Sequence, residues 1–372
     1  MTIALSADAR MIQDQAIDFF AERSPVRSLR QLRDARDAEA ISRPLWQEMA
    51  DLGWPGFLVP EAHGGSGFGH LGLGLVLAAA GRTLAATPLL STAMIGASAL
   101  LLGGDQAQQA AHLPALAAGR SLFALAVDEG AHHEPDRIET RLRRDGPGFV
   151  LDGAKRFVPD GGVADVLIVA ARREDGNIAL VLVPADAPGL VRQRRWMVDS
   201  RNAAALTFDG VRLEPSALLA QGGPGLLEML LDRARIGLAA EMLGTAEEAF
   251  ARTVQYLKDR RQFGVPIGSF QALKHRAAEM FCSLELARAA VLGALEALDA
   301  DSPAVPRLAS LAKARAGDAL HLIGNEAIQM HGGIGMTDEH EIGFFLKRAR
   351  LAEATLGDSR FHRDRYAAIA GF

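Results

Sequence analysis

The stretch RRQFGVPIGSFQALKHRAAEM, residues 260–280, joins two segments with helical periodicity. Its basic pair, Arg260 and Arg261, is typical of a helix C-terminus, because cations complement the helix dipole there. Glycine and proline then punctuate the chain as far as Gly268, which predicts a short loop. Ser269 belongs to the residue types that cap helix N-termini, and it predicts the start of the following helix. The stretch therefore predicts two long helices joined by a basic loop.

The composition changes twice along the chain and divides it into three zones. Residues 1–118 are rich in Ala and Leu at helical spacing. Residues 119–218 contain short β-branched runs separated by turn sequences, as in an antiparallel sandwich or barrel. Residues 219–372 return to helical periodicity, so we expect an α+β fold with three domains at these boundaries. Within the C-terminal zone the periodicity predicts four helical segments, at 224–259, 268–298, 303–331 and 338–370.

The composition also excludes several classes of function. The net charge of −5 over 372 residues gives no electrostatic basis for binding nucleic acid or an anionic membrane. One cysteine, Cys282, argues against a thiolate metal site, and no histidine lies in an HExxH pattern, so we expect no metal. The first residues lack a signal-peptide pattern, and no apolar run is long enough to span a bilayer. We therefore expect a cytoplasmic protein without membrane insertion.

Two glycine pairs, Gly64-Gly65 and Gly332-Gly333, could bring the backbone close to a ligand. The second pair follows a long helix, so it is either a helix C-cap alone or a surface that a flat or phosphorylated ligand approaches. Neither pair forms a GxGxxG turn between a strand and a helix, which disfavours a nicotinamide-binding Rossmann fold. The sequence also lacks a GxSxG elbow, so hydrolase chemistry is not supported.

Three segments together resemble the acyl-CoA dehydrogenase family over nearly the whole chain. They are residues 260–280, AIQMHGGIGMTDEHEI at 327–342, and LWQEMADLGWPGFLVPEAHGGSGFG at 45–69. The resemblance implies an N-terminal helical domain, a central β-domain and a C-terminal four-helix bundle. It also implies FAD as cofactor and oxidation of an acyl-CoA thioester between Cα and Cβ, in which a carboxylate removes the α-proton and hydride passes to flavin N5. An electron-transfer flavoprotein is then the expected electron acceptor.

The resemblance places the FAD site partly on a neighbouring subunit, and so it implies a homo- or hetero-oligomer. Arg260 would contact the flavin pyrophosphate, with Gln262 and Phe263 beside it. Asp128 would lie in the flavin-facing turn, and Phe157 would cover the flavin ring. The remaining implied residues are Gln271, Gln329, Gly332 and Gly333 on the adenosine and pyrophosphate side, Asp358 as a cofactor contact or helix cap, and Asp232 and Arg235 facing the CoA chain and the acyl pocket.

The chain departs from the family pattern in its β zone. AHHEPDRIE, residues 131–139, replaces a small phosphate-contacting stretch. Pro159 stands where a hydroxyl residue often bonds the flavin, and proline has no side-chain donor to replace it. We therefore expect a difference in FAD affinity or redox tuning.

Both positions at which the family carries its catalytic glutamate are apolar here. The resemblance places them at Leu356 and Ala234. Glu241 lies on nearly the same helix face as Ala234, about two turns further on. Between small residues it would be partly desolvated, which makes it a candidate base. Alternatively, Glu241 is a structural residue that pairs with an arginine of an adjacent helix; Asp358 is a third, less favoured candidate for the base.

Three functions fit these residues. The first is FAD-dependent α,β-dehydrogenation of an acyl-CoA with Glu241 as base. The displaced base favours a bulky or branched acyl group, and so fatty-acid or steroid side-chain degradation. The second is a non-catalytic subunit that supplies an FAD half-site to a heteromeric dehydrogenase. The third is a flavin monooxygenase or oxidase on the same fold, which fits the CoA-facing Asp232 and Arg235 least well.

Overall fold

The computed structural model describes residues 5–221 and 223–372. The chain forms two compact units, and each is assembled from separate parts of the sequence. The helical unit contains Met1–Gln31, Gly74–Ala85 and Arg235–Phe372, and the sheet unit contains Leu32–Leu73 and Ala86–Ala234. The domain boundaries near residues 118 and 218 stay predictions. The two units are each assembled from separate stretches of the chain, so their limits do not test boundaries that follow chain order.

The N-terminal zone is helical, as its periodicity predicts. Its first helix buries Ile12, Ala16 and Phe20 along one face, and Ser6 caps it by accepting a hydrogen bond from the Ala9 amide. None of the described helices is long and apolar enough to cross a membrane. The helices of this zone are α1 (Ala7–Arg23), α2 (Val26–Asp34), α3 (Arg43–Asp51), α4 (His70–Arg82), α5 (Ala97–Gly103) and α6 (Gln106–Ala117).

The middle zone forms a single seven-stranded sheet. Its strands are β1 (Phe123–Ala126), β2 (Arg141–Asp145), β3 (Gly148–Pro159), β4 (Val166–Arg173), β5 (Ile178–Pro184), β6 (Leu190–Trp196) and β7 (Asn202–Leu213). They lie in the order β1-β4-β2-β3-β7-β6, with β5 also paired to β4. Alternate residues such as Leu151, Leu167 and Val181 face one buried core.

The expectation of a purely antiparallel sheet is wrong at two pairings. Both β1 and β2 run parallel to β4, whereas the other pairs of this sheet are antiparallel. Neither parallel pair is joined by a hairpin, because β2 and β3 lie between β1 and β4 in the chain and β3 lies between β2 and β4.

The C-terminal zone contains five helices among its described residues. They are α7 (Leu226–Asp259), α8 (Gln271–Asp299), α9 (Val305–His331), α10 (Ile342–Ala354) and α11 (Ser359–Ala370). The segment predicted as one helix at 338–370 is therefore two, divided by a turn in which Leu356 and Gly357 have φ of 59° and 97°. Positive φ interrupts a right-handed helix, and the hydrophobic periodicity on either side conceals that break.

The loop between α7 and α8 differs in one detail from the expectation. It contains a short hairpin of β8 (Arg261–Gln262) and β9 (Val265–Pro266). Ser269 does not cap α8, because its hydroxyl donates to the Pro266 carbonyl at 2.7 Å. Phe270 is the N-cap residue instead, without a side-chain bond, and α8 begins at Gln271.

Two glycines let α4 and α7 approach each other within the helical unit. A Cβ added to Gly244 would lie 1.8 Å from the Ala78 carbonyl oxygen, and one added to Gly81 would lie 2.1 Å from the Glu241 carbonyl oxygen. These neighbours are backbone atoms, which cannot rotate away as a side chain can. The small residues around Glu241 therefore serve helix packing at this crossing.

We expect Gly244→Ala to lower the free energy of unfolding by about 1–3 kcal/mol, since the added methyl overpacks a backbone contact. Gly293→Ala on α8 is the matched control, because a Cβ there meets no atom within 4 Å. The control should raise stability by up to about 1 kcal/mol, as alanine favours a helix more than glycine does. Urea unfolding followed by circular dichroism measures both, and equal effects would contradict the packing argument.

Candidate functional site

A cleft of about 710 Å³ in the helical unit brings together most residues of the implied adenosine and pyrophosphate site. Phe263 is 90% exposed at its edge, and Gln271 lies just outside it at the start of α8. The residues from the sequence prediction that line the cleft are Arg260, Gln262, Phe263, Gln329, Gly332 and Gly333.

His331 is a lining residue of this cleft that the sequence reasoning did not assign. The residue is 3% exposed, and its Nδ1 donates to the Ala327 carbonyl at 2.7 Å. Burial lowers the pKa of His331, so the ring is neutral and Nε2 carries a lone pair. Nε2 is buried and has no hydrogen-bond partner within the described residues. Tyr256 stacks on the ring at 4.3 Å between ring centres, which fixes its orientation.

The glycine pair beside His331 ends a helix and also leaves open space beside the backbone, so it has the features of both alternatives that the sequence left open. Gly332 is the residue at which α9 ends, and its φ of 63° with ψ of −141° is a conformation that essentially only glycine adopts. A Cβ on Gly332 or Gly333 would meet no atom within 4 Å, so open space lies beside the backbone. The cleft thus offers a guanidinium, exposed backbone, an aromatic ring and an unused acceptor to a ligand.

The sheet unit carries the residues implied to face the flavin, in a polar cluster after β1. Asp128 accepts a hydrogen bond from Nδ1 of His133 at 2.9 Å, and His133 is almost fully buried. Lys155 of β3 donates to Glu129 at 2.7 Å and to the Val127 carbonyl at 3.0 Å. Burial lowers the pKa of Lys155, and Glu129 partly offsets this. The replaced segment at 131–139 is thereby tied to the strand that carries Phe157.

Asp160, directly after β3, is a buried acid that the sequence reasoning passed over. It is 3% exposed, has a φ of 56°, and accepts a hydrogen bond from the Ser91 hydroxyl at 2.6 Å. Its own amide donates to the Asn202 carbonyl. These bonds hold the chain just beyond Pro159 in a left-handed conformation that otherwise favours glycine.

Helix α7 carries the residues implied to face the substrate. Asp232 and Arg235, three positions apart, lie on one face of the helix and are both buried. The Arg235 guanidinium lies 5.6 Å from the centre of the Phe361 ring on α11. Arg235 is therefore next to the turn that separates α10 from α11.

The turn at residues 355–358 is held by buried donors from two helices. Lys313 of α9 is 1% exposed and donates to the carbonyls of Gly357 at 2.8 Å and Glu353 at 3.1 Å. His362 of α11 donates from Nε2 to the Leu356 carbonyl at 2.9 Å. Asp358 caps α11 by accepting from the Phe361 amide at 2.8 Å, so the capping alternative for this residue is observed.

Glu241 forms a buried ion pair. Its Oε1 accepts a hydrogen bond from Nη1 of Arg348 on α10 at 2.9 Å, and Glu241 and Arg348 are 4% and 2% exposed. Arg348 also donates to the Leu84 carbonyl at 3.4 Å. If Glu241 is a structural residue, the sequence predicts that it pairs with an arginine of an adjacent helix, and Arg348 of α10 is such an arginine.

Sequence models of three domains match this chain in order. They are the N-terminal, middle and C-terminal domains of acyl-CoA dehydrogenase, over residues 6–120, 125–211 and 221–370. The chain belongs to the acyl-CoA dehydrogenase family. Its members are oxidoreductases that act on the CH–CH bond of acyl-CoA thioesters, and the cofactor is FAD.

Similar proteins support the family over most of the chain. The probable acyl-CoA dehydrogenase YngJ of Bacillus subtilis is 32% identical over 86% of this chain and 87% of its own length. The short/branched chain specific acyl-CoA dehydrogenase of Bos taurus is 26% identical over 95% of this chain and 83% of its own. A solved structure of a variant of the Tcur3481-Tcur3483 steroid ACAD is 32% identical, with a TM-score of 0.89 over 98% of this chain and 97% of that one.

The cleft in this acyl-CoA dehydrogenase fits part of an FAD molecule. Arg260 would supply a guanidinium for the pyrophosphate, and open space lies beside the backbone at Gly332-Gly333. The unpartnered Nε2 of His331 would be an acceptor for a ribose hydroxyl or an adenine amino group. The exposed Phe263 has an apolar surface that a planar ring system can cover.

Several of the buried polar residues at these sites were missed by the sequence reasoning. Lys313 lies between alanines at Ala312 and Ala314 in an apolar stretch of helix. That placement was a detectable signal, since a lysine is almost never fully buried unless it has a partner. His331 and Asp160 gave no such signal, because histidine and aspartate are ordinary residues beside glycine-rich turns.

Lys313 should make stability depend on pH. Burial lowers its pKa from 10.5 to about 7, so between these values the unfolded chain binds more protons than the folded chain. The free energy of unfolding therefore gains a contribution that rises from pH 7 towards pH 10, and falls as the pH drops through 7. Lys313→Met should lose this rise, and it should also destabilise by about 1–3 kcal/mol through its unsatisfied buried carbonyls.

Urea unfolding of wild type and Lys313→Met at pH 7 and pH 9 checks this, with the exposed Lys258→Met as control. The destabilisation by Lys313→Met should be larger at pH 9, and the control should show no such change. An equal difference at both pH values would contradict the argument.

Proposed function

We propose that this acyl-CoA dehydrogenase chain is one subunit of a heteromeric enzyme, that it contributes FAD-binding residues, and that Glu241 is structural. The buried pair of Glu241 and Arg348 carries the proposal. Leu356 and Ala234 occupy the two positions at which the family resemblance places a glutamate. The α-proton is then removed by a carboxylate of a partner chain.

The chemistry of the ion pair argues against Glu241 as a base. An adjacent guanidinium stabilises the charged carboxylate and so weakens its tendency to accept a proton. Protonation of Glu241 would also leave the buried Arg348 charge uncompensated, and breaking a buried pair costs about 3–5 kcal/mol. The guanidinium cannot release its own proton to relieve this, because it stays charged.

FAD, when bound, supplies the acceptor for the hydride that leaves Cβ. The residues of this chain hold and orient the cofactor. Arg260 and the Gly332-Gly333 backbone suit the pyrophosphate, and His331 fixes the adenosine. Asp128 and Phe157 shape the flavin-facing surface, and the acceptor of the electrons is an electron-transfer flavoprotein. Asp358 contributes through the turn that it caps.

A second subunit is supported by the surface of the helical unit. Exposed apolar side chains lie on α8, in the loop before it and just after α9, and a monomeric protein seldom leaves such a set uncovered. The Tcur3481-Tcur3483 steroid ACAD, to which this chain is similar, has a name that joins two designations, as an enzyme of two different chains would. The exposed set includes Phe263 at 90%, Met336 at 79%, Leu286 at 58% and Phe281 at 51%.

The acyl group is bulky or branched. The apolar residues Leu356 and Ala234, at the positions where the resemblance places a base, support this class. The names of two similar proteins, a short/branched chain specific dehydrogenase and a steroid ACAD, support the same class. We therefore propose that the protein acts in the degradation of branched fatty acids or of steroid side chains.

We expect Glu241→Gln and Arg348→Gln to share one phenotype in the assembled holoenzyme. Each should lower the thermal midpoint, because each removes half of a buried ion pair. Each should leave the rate of anaerobic flavin bleaching by a saturating branched acyl-CoA within about threefold of wild type. If Glu241 were the base, its variant alone would slow bleaching by about a hundredfold or more, while Arg348→Gln would not.

Expression with and without a co-encoded homologue tests the heteromeric assembly. The chain alone should purify without stoichiometric FAD or in aggregated form, whereas co-expression should give a yellow complex of two different chains. A soluble homo-oligomer that binds FAD stoichiometrically and oxidises acyl-CoA alone would refute the subunit proposal. It would leave the family assignment intact.

A further inference from the structure

The sheet unit contains a second pocket that the dehydrogenase site does not use. It has a volume of about 440 Å³ and two walls, which we call the Arg–Trp pocket. Arg33 and Arg36, at and just after the end of α2, form one wall. Arg194, Trp196 and Met197, at and just after the end of β6, form the other. A pocket of this size fits a small molecule.

The charge of the Arg–Trp pocket is strongly positive. Three of its lining residues are arginines, and none of the described lining residues is acidic. Asp34 neutralises Arg33 at 2.7 Å. Arg36 and Arg194 have no carboxylate partner within the described residues, and the Arg194 Nε is buried without a hydrogen-bond acceptor. Two guanidinium groups therefore lack an anion.

An aromatic surface lies beside these cations. Trp196 is 64% exposed, although tryptophan usually has most of its surface buried. The Arg194 guanidinium covers one part of the ring at 3.9 Å from its centre, as in a cation–π contact. The other part of the indole remains available for a planar ring.

Backbone strain marks both walls of the pocket. Arg36 and Ser200 each line it and have φ of 48° and 66°, which is uncommon for residues other than glycine. Strained residues of this kind cluster at ligand sites. The strain supports the argument from charge and stacking but does not by itself select a ligand.

We propose that the Arg–Trp pocket binds a phosphorylated adenine nucleotide. Arg36 and Arg194 would donate to the phosphate oxygens, since guanidinium groups match phosphate geometry. The adenine would stack on Trp196, which tolerates any planar base. The nucleotide is either the 3′-phospho-ADP end of coenzyme A or a free adenine nucleotide. The proposal is independent of the base assignment and of subunit composition.

The test uses the fluorescence of Trp196 in the FAD-loaded assembly. The other two tryptophans of this chain, Trp46 and Trp54, are only 3% and 1% exposed. A ligand in solution can therefore reach Trp196 but not Trp46 or Trp54. The probes are coenzyme A, 3′-phospho-ADP, 5′-ADP, adenosine, inorganic phosphate and a glutamate-rich peptide. We expect saturable quenching by the phosphorylated nucleotides, and no quenching by any probe in Trp196→Phe.

Arginine variants separate a specific site from general charge attraction. Arg36→Gln and Arg194→Gln should raise the nucleotide Kd by about tenfold or more, because each removes charge-assisted bonds to phosphate. Arg195→Gln is the matched control, since Arg195 is exposed next to Arg194 and lies outside the lining of the pocket. Its Kd should stay within about twofold of wild type. Circular dichroism of each variant verifies folding.

The probes also distinguish the two sources of nucleotide. Tighter binding of coenzyme A and 3′-phospho-ADP than of 5′-ADP assigns the pocket to the coenzyme, and the opposite order assigns it to a free nucleotide. The proposal fails if no nucleotide quenches Trp196 at millimolar concentration. It also fails if Arg195→Gln weakens binding as much as Arg36→Gln, or if the glutamate-rich peptide binds more tightly than every nucleotide.

Discussion

The buried ion pair between Glu241 and Arg348 is the interaction on which the helical unit depends. It joins α7 to α10, and Arg348 extends the connection to the Leu84 carbonyl just after α4. Two charges removed from water are tolerated only when they neutralise each other and find further hydrogen bonds. The close crossing of α4 and α7, made possible by Gly81 and Gly244, lies at the backbone of Glu241, and both members of the pair are buried. The close helix packing at Gly81 and Gly244 and the ion pair of Glu241 and Arg348 therefore occur at the same crossing.

Buried polar groups also find partners in the turn between α10 and α11. Leu356 and Gly357 have positive φ, so their backbone leaves helical hydrogen bonding. Carbonyls released in this way must be satisfied by other donors when they are buried. Lys313 and His362 provide those donors, and desolvation lowers the pKa of Lys313 to about 7 as a consequence. The position at which the family resemblance places a glutamate is here Leu356, in a turn supported by the buried amine of Lys313.

The sequence contained much of the cofactor site because that site consists of local motifs. Arg260, Gln262 and Phe263 belong to one short loop, and Gln329, Gly332 and Gly333 belong to one helix end. A likeness in each motif was therefore sufficient to predict their roles, and the structure brings both motifs to one cleft. His331 was missed, although it lies within the second motif, because its importance comes from a single nitrogen left without a partner.

The sequence by itself determined the helical and β zones and the family, and it predicted the FAD-binding loops, since periodicity and motif order depend only on neighbours along the chain. Only the tertiary structure reveals the partner of Glu241. Arg348 lies 107 residues away, and sequence periodicity contains no information about which arginine meets which carboxylate. It also decided the direction of β1 and β2 against β4 and the burial that lowers the pKa of Lys313. Each of these depends on burial and on partners distant in sequence, which form only when the chain has folded.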